Sequence, residues 1–180
     1  NYFKENTFFD NLLNSFIFIS IINWIMQGMR GMQTKELLFR ICLEIFSVIL
    51  IFNLTNLNLI YIFIIIHTVF WLFNSHFWVI MRYSSLYSND TNRLEKISNQ
   101  IIDKIQKVNF IDEAICIGSF GNNKKFSSPN SDIDLRLFFK PGLINIVKLN
   151  FYLIYLRVYS FIKKFPLDMY AYDKFPFNDN

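Results

Sequence analysis

The chain has 180 residues, with 53% hydrophobic residues, 22 Phe and a formal net charge of +4. That length suits one modest domain plus an additional segment. The weak basic balance has no Lys/Arg-rich run, which excludes a strong nucleic-acid signal, and two cysteines, Cys42 and Cys116, exclude a disulfide framework or a cysteine metal site.

The apolar excess lies almost entirely before Tyr83. The run "LLNSFIFISIINWIM" (12–26) is interrupted by Asn14, Ser20 and Asn23, and reads as a span or an interfacial helix. "ELLFRICLEIFSVILIF" (36–52) is a second apolar run, with Arg40 and Glu44 on one helical face near one end. "NLTNLN" (53–58) is an uncharged turn. "LIYIFIIIHTVFWLFNSHFWVIM" (59–81) has no Asp, Glu, Lys or Arg. It meets the requirement of about 20 apolar residues for a membrane span. Tyr61, Trp78 and Tyr83 suit an aromatic belt. His67 reads as a hydrogen-bond partner for a neighbouring helix. The two runs around 53–58 predict a transmembrane helical hairpin. Arg30, Lys35, Arg40 and Arg82 flank it, which puts the connector before the hairpin and the C-terminal half in the cytoplasm. The expected organisation is a membrane region over 1–83, with two or three hydrophobic helices, a linker over 84–91, and a domain over 92–180.

The second half has ordinary composition. Asp90 or Thr91 caps a predicted helix over 92–108, with Leu94, Ile97, Ile101, Ile105 and Val108 on one face. "EAICIG" (113–118) and "DIDLRLFF" (132–139) read as strands, and Pro141-Gly142 ends the second. A long helix over 143–165 follows, then a strand over 166–173 around Asp168. Arg157, Lys163 and Lys164 read as the solvated side of that helix. The order predicts a small α/β (α+β) domain with a short mixed sheet.

Period-2 geometry puts Asp132 and Asp134 on one strand face and Ile133 and Leu135 on the other. Adjacent carboxylates repel unless a cation lies between them. Mg²⁺ takes a few carboxylate oxygens and completes its shell with substrate phosphates. Asp168, alone in an apolar strand, is the candidate third acid. Gly118-Ser119 at a strand end frees backbone N–H groups and a hydroxyl, a cradle suited to phosphate.

An apolar strand, Gly118-Ser119, a polar gap, Ser131-Asp132-Ile133-Asp134-Leu135 and a later Asp168 together resemble the polymerase-β-type nucleotidyltransferase superfamily, in particular its minimal domains. The resemblance covers roughly residues 92–173. It implies a nucleotidyltransferase-type fold and transfer of a nucleoside monophosphate from a nucleoside triphosphate to a hydroxyl acceptor, with release of pyrophosphate. Gly118 and Ser119 would bind the nucleotide's phosphates. Asp132, Asp134 and Asp168 would be catalytic and hold two Mg²⁺ ions. Lys124 and Lys125 read as a solvated pair. Phe120, Gly121, Asn122 and Asn123 stand where many minimal members carry an Arg. The family often adds a further C-terminal element, so the domain reads as truncated at Asn180 or completed by a protein partner. The membrane half adds the bilayer as a partner and makes a membrane-associated, glycan or protein acceptor the expectation. Two other functions fit the same residues: a non-catalytic nucleotide-binding or interaction module, and an antitoxin-like, protein-modifying nucleotidyltransferase.

Overall fold

A computed structural model describes residues 15–27, 29–73, 76–81, 90–117 and 131–173. The described chain is a mixed α/β structure. In order it has α1 (Phe16–Met26), a 3₁₀ turn (Met29–Gly31), α2 (Thr34–Leu54), α3 (Leu59–Phe73), α4 (His76–Met81), α5 (Thr91–Gln106), β1 (Ile111–Ile117), β2 (Ile133–Phe139), α6 (Leu143–Lys163) and β3 (Leu167–Tyr172).

The three strands form one sheet in the order β1-β2-β3. β1 runs antiparallel to β2, with Ile117 opposite Asp134. β2 runs parallel to β3, with Asp134 opposite Asp168 and Arg136 opposite Tyr170. The parallel pair needs a crossover, and α6 supplies it. Gly142 begins that crossover at φ 124°, a conformation that side-chain-bearing residues rarely adopt.

Alternation sorts the two sheet faces. Ile133, Leu135 and Leu137 of β2 and Leu167, Met169 and Ala171 of β3 point into one core. Leu94, Ile97, Ile101 and Ile105 of α5 and Leu149, Leu153 and Leu156 of α6 complete it. The predicted face of α5 is therefore the packed one, and the Asp90 side chain caps the helix by accepting from the Asn92 N–H. The opposite sheet face carries Asp134, Arg136 and Phe138 beside Asp168, Tyr170 and Tyr172. The turn at Gly31 and helix α4 pack near β3 on this side of the structure.

Gly31 is required by that packing. A Cβ at this position would fall inside the contact distance of the Tyr170 ring. Gly31→Ala should cost about 1–3 kcal/mol through overpacking. Thermal unfolding reads the loss, and adding Tyr170→Ala to the same chain should relieve the clash.

The N-terminal helices are inverted relative to a soluble core. On α2 the inward stripe is Glu36, Arg40, Glu44 and Val48, one residue per helical turn. Leu38, Ile45, Phe46, Ile49, Leu50 and Phe52 face outward and are exposed. Thr34–Leu54 is long and apolar enough to cross a membrane, with mean hydropathy 2.2 in its most apolar window and only 17% of that window buried. A signal sequence near an N-terminus shares that length and composition.

The expected hairpin of two spans is corrected to one long apolar helix. α3 is apolar but has 15 residues and ends at Phe73, and the chain resumes as the separate α4 at His76. Asn74 and Ser75, between these two helices, lie outside the described residues. Trp78, expected in an interfacial belt, instead donates its indole N–H to the Phe161 carbonyl of α6 at 3.0 Å.

Candidate functional site

The local sequence of β2 fixes where its acids go. Ile133 and Leu135 are fully buried, so the residues between and before them must face away from the core. The parallel register then sets Asp168 directly beside Asp134. Asp132, one residue before β2, is near enough to Asp168 to act on its charge. The three acids predicted as catalytic therefore come together at one end of one sheet face. β1 reaches the same end, because its last residue, Ile117, is the partner of Asp134. Gly118 and Ser119, the expected phosphate cradle, follow Ile117 in sequence but lie outside the described residues, as do Lys124 and Lys125.

Asp168 is the most perturbed member. Its side chain is mostly buried, and its Oδ1 has no hydrogen-bond partner. Burial raises its pKa above the ordinary carboxylate value; Arg136 and the neighbouring Tyr170 hydroxyl pull it partly back, while Asp132 pushes it up. Tyr170 is itself raised to about 12 by burial and by Asp168. An unpaired, desolvated carboxylate oxygen is costly to the fold.

Arg136 was not read as a site residue from the sequence. It lies two residues beyond Asp134, on the same face, with its guanidinium 4.5 Å from the centroid of the Tyr170 ring. The signal that would have revealed it is the same period-2 rule that paired the aspartates.

Hard oxygen donors, one of them buried and unpaired, suit a divalent cation such as Mg²⁺. Among the described residues no group of three His, Cys, Asp or Glu already converges on a metal position. Mg²⁺ sites commonly use one or two carboxylates and leave the remaining positions to water and phosphate. Asp132, Asp134 and Asp168 are the acids that would hold such an ion.

A second polar assembly lies among the helices. The Arg157 guanidinium donates to Glu36 Oε1 at 2.5 Å and to the Met169 carbonyl at 3.0 Å. The Ala171 N–H points at Glu36 Oε2 at 3.5 Å. Alternate backbone groups of β3 face its free edge, so this pair closes the edge of the strand that carries Asp168. The reading of Arg157 as a solvated side chain is thereby corrected: it is 5% exposed. Deeper along α2, Arg40 donates to the Gln27 carbonyl and to Gln27 Oε1 at 2.7 and 2.6 Å. Glu44 Oε1 is 2.6 Å from His67 Nδ1, and His67 Nε2 is 3.0 Å from the Trp24 carbonyl. His67 thus bonds to neighbouring helices, as its position within an apolar run predicts. Cys42 is exposed and Cys116 partly so. Burial pushes the Cys116 thiol up to about 11, which keeps it protonated and unreactive at neutral pH.

Comparison with protein-family models, with characterised proteins and with solved structures finds no match to this chain.

Proposed function

We propose that this chain is a membrane-anchored nucleotidyltransferase that moves a nucleoside monophosphate from a nucleoside triphosphate to a hydroxyl acceptor. The observation that carries the reading is the register of Asp134 against Asp168, with Asp132 near enough to act on the charge of Asp168 and Ile117 of β1 paired with Asp134. The sequence pattern of Gly118-Ser119 and Ser131-Asp132-Ile133-Asp134 supports it independently.

In the proposed reaction the acceptor oxygen attacks the α-phosphorus in line. The new P–O bond forms, the bond to the α–β bridging oxygen breaks, and pyrophosphate leaves. Asp168 is the candidate acceptor of the hydroxyl proton, because burial has raised its affinity for one. Asp132 and Asp134 would hold Mg²⁺, which when bound neutralises phosphate charge. Gly118 and Ser119 would receive the terminal phosphates through backbone N–H groups and the hydroxyl.

The membrane half of the proposal rests on the apolar, outward-facing surface of α2, which the protein itself leaves uncovered. Its inward charges are committed to partners in α1, α3, α6 and β3, which favours a retained part of the fold over a removed leader. Glu36 and Lys35, at the N-terminal end of α2, hold Arg157 and Asp173, which favours placing the C-terminal domain on the side where Arg30 and Lys35 fall, the cytoplasm.

A labelling assay tests the enzyme. Membranes carrying the chain, or its Asp134→Ala variant, receive each of four α-phosphate-labelled nucleotides with Mg²⁺. Label should enter a lipid, glycan or protein fraction and fall at least about a hundredfold in the variant. Mg²⁺-dependent nucleotide binding with no transfer to any fraction would replace the enzyme with a nucleotide-binding module. Label on a small co-purifying protein would point to the antitoxin-like, protein-modifying activity.

A further inference from the structure

The acid face carries a basic residue that the proposed reaction has not yet used. Arg136 projects from β2 on the same side as Asp134, opposite Tyr170 of β3. It is half-buried. Its guanidinium stacks on the Tyr170 ring, and one of its nitrogens donates to the Leu135 carbonyl at 3.2 Å. The ring is backed by Gly31, whose missing side chain makes the contact possible. The guanidinium is therefore held by the Tyr170 ring and by the Leu135 carbonyl. Among the described residues Arg136 closes no ion pair, though Asp168 feels its charge. A planar fork with five donors, one of them engaged, is left facing the acids.

Its place along the strand decides what it can serve. Asp132 precedes the Asp134–Asp168 pair along β2. Arg136 lies on the far side of the Asp134–Asp168 pair. An incoming hydroxyl must approach Asp168, the proposed proton acceptor, against the field of three carboxylates. An acceptor that also carries an anionic group would be repelled there unless a cation received it. A preoriented guanidinium suits a phosphate or carboxylate, which it can bind through two parallel hydrogen bonds.

We propose that Arg136 is the anchor for an anionic group on the acceptor, so that the acceptor is a hydroxyl compound bearing a phosphate or carboxylate. The inference rests on the nucleotidyltransferase reading and narrows its acceptor class. The same chemistry is presented by an anionic lipid headgroup in the bilayer and by a soluble phosphorylated polyol.

Binding measurements on the full chain in nanodiscs separate these sources and test the residue. The soluble probes are glycerol 3-phosphate and glycerol; the membrane probes are phosphatidylglycerol and phosphatidylcholine. The anionic member of one pair, or of both, should bind in preference to its neutral or zwitterionic counterpart. Preference within the soluble pair identifies a soluble acceptor, and preference within the lipid pair a headgroup. Arg136→Met keeps an apolar stem without the guanidinium and should weaken the anionic probe about 10- to 100-fold. Arg136→Lys should recover part of the loss, and nucleotide affinity should stay within about twofold of the parent. Circular dichroism of both variants should match the parent. Equal binding within both pairs overturns the proposal, as does a loss in Arg136→Met that falls on the nucleotide instead. If the parent chain binds no nucleotide and Asp134→Ala changes nothing, the transferase reading fails, whereas the anion measurements still report on Arg136.

Discussion

Replacing Glu36 by alanine should destabilise the protein by about 3–5 kcal/mol, because it leaves the Arg157 charge buried and unpaired. Glu36 and Arg157 are 4% and 5% exposed, so water cannot take over for the missing carboxylate. The Ala171 N–H also loses its acceptor, at the free edge of β3. For a chain of this size such a loss lowers the unfolding midpoint by roughly 10 °C. Unfolding in detergent micelles followed by circular dichroism reads it directly. The double variant Glu36→Leu with Arg157→Met should recover most of the loss, since an apolar pair of similar volume often equals a buried ion pair. The charge swap, Glu36→Arg with Arg157→Glu, should not recover it. The swapped carboxylate would face the Met169 carbonyl, and the swapped guanidinium would face the Ala171 N–H. A Glu36→Ala protein within about 1 kcal/mol of the parent would show that the pair is not needed to hold α2 on the sheet.

The consequence is architectural. Charge binds α2 to β3 at one end, through Glu36, Arg157 and the partnership of Lys35 with Asp173. Further along α2, the Glu44–His67 contact ties it to α3. A helix that turns its polar groups inward and its apolar groups outward matches the proposed bilayer solvent. The helix proposed to meet the bilayer therefore also grips the edge strand that carries Asp168.

The sequence made the acid face legible for a simple reason. Alternation is local, so Asp132 and Asp134 could be assigned to one side of β2 from Ile133 and Leu135 alone. The helix α5 was legible for the same reason, through its apolar spacing and its Asp90 cap. The pairing of Asp134 with Asp168 depends on register between strands separated by the whole of α6, which the sequence expresses only as a lone acid in an apolar run. Arg157 was misread because its partner, Glu36, is 121 positions away and belongs to a helix that looked like a membrane anchor. The second span differs because hydropathy counts 59–81 as one run, whereas the helices described there are Leu59–Phe73 and His76–Met81. Gly31 gave no signal at all, since its need for a bare Cα arises only when the Tyr170 ring arrives from β3.

Asp168→Asn should raise stability while abolishing transfer. The direction follows from the state of the parent carboxylate. Burial raises its folded pKa above the unfolded one, so the folded form holds a proton that the unfolded form releases first. The penalty is therefore absent at low pH, where both forms are protonated. It grows as pH rises through the unfolded carboxylate pKa and becomes constant above the raised folded value. Asparagine keeps the shape and cannot ionise, so it escapes this penalty at every pH. The expected result is a gap in unfolding midpoint between Asp168→Asn and the parent that is near zero in acid, opens as pH rises through the unfolded carboxylate range and levels off above the raised folded value. Arg136 works against the effect by favouring the charged form, so Arg136→Met should widen the gap by further destabilising the parent carboxylate. A gap that closes as pH rises would mean that Asp168 is stabilised as an anion by its neighbours, and its unpaired Oδ1 would then be the wrong guide to its role. If the gap opens and transfer is lost together, the fold is bearing a carboxylate that its own stability disfavours, as a group held for catalysis would be.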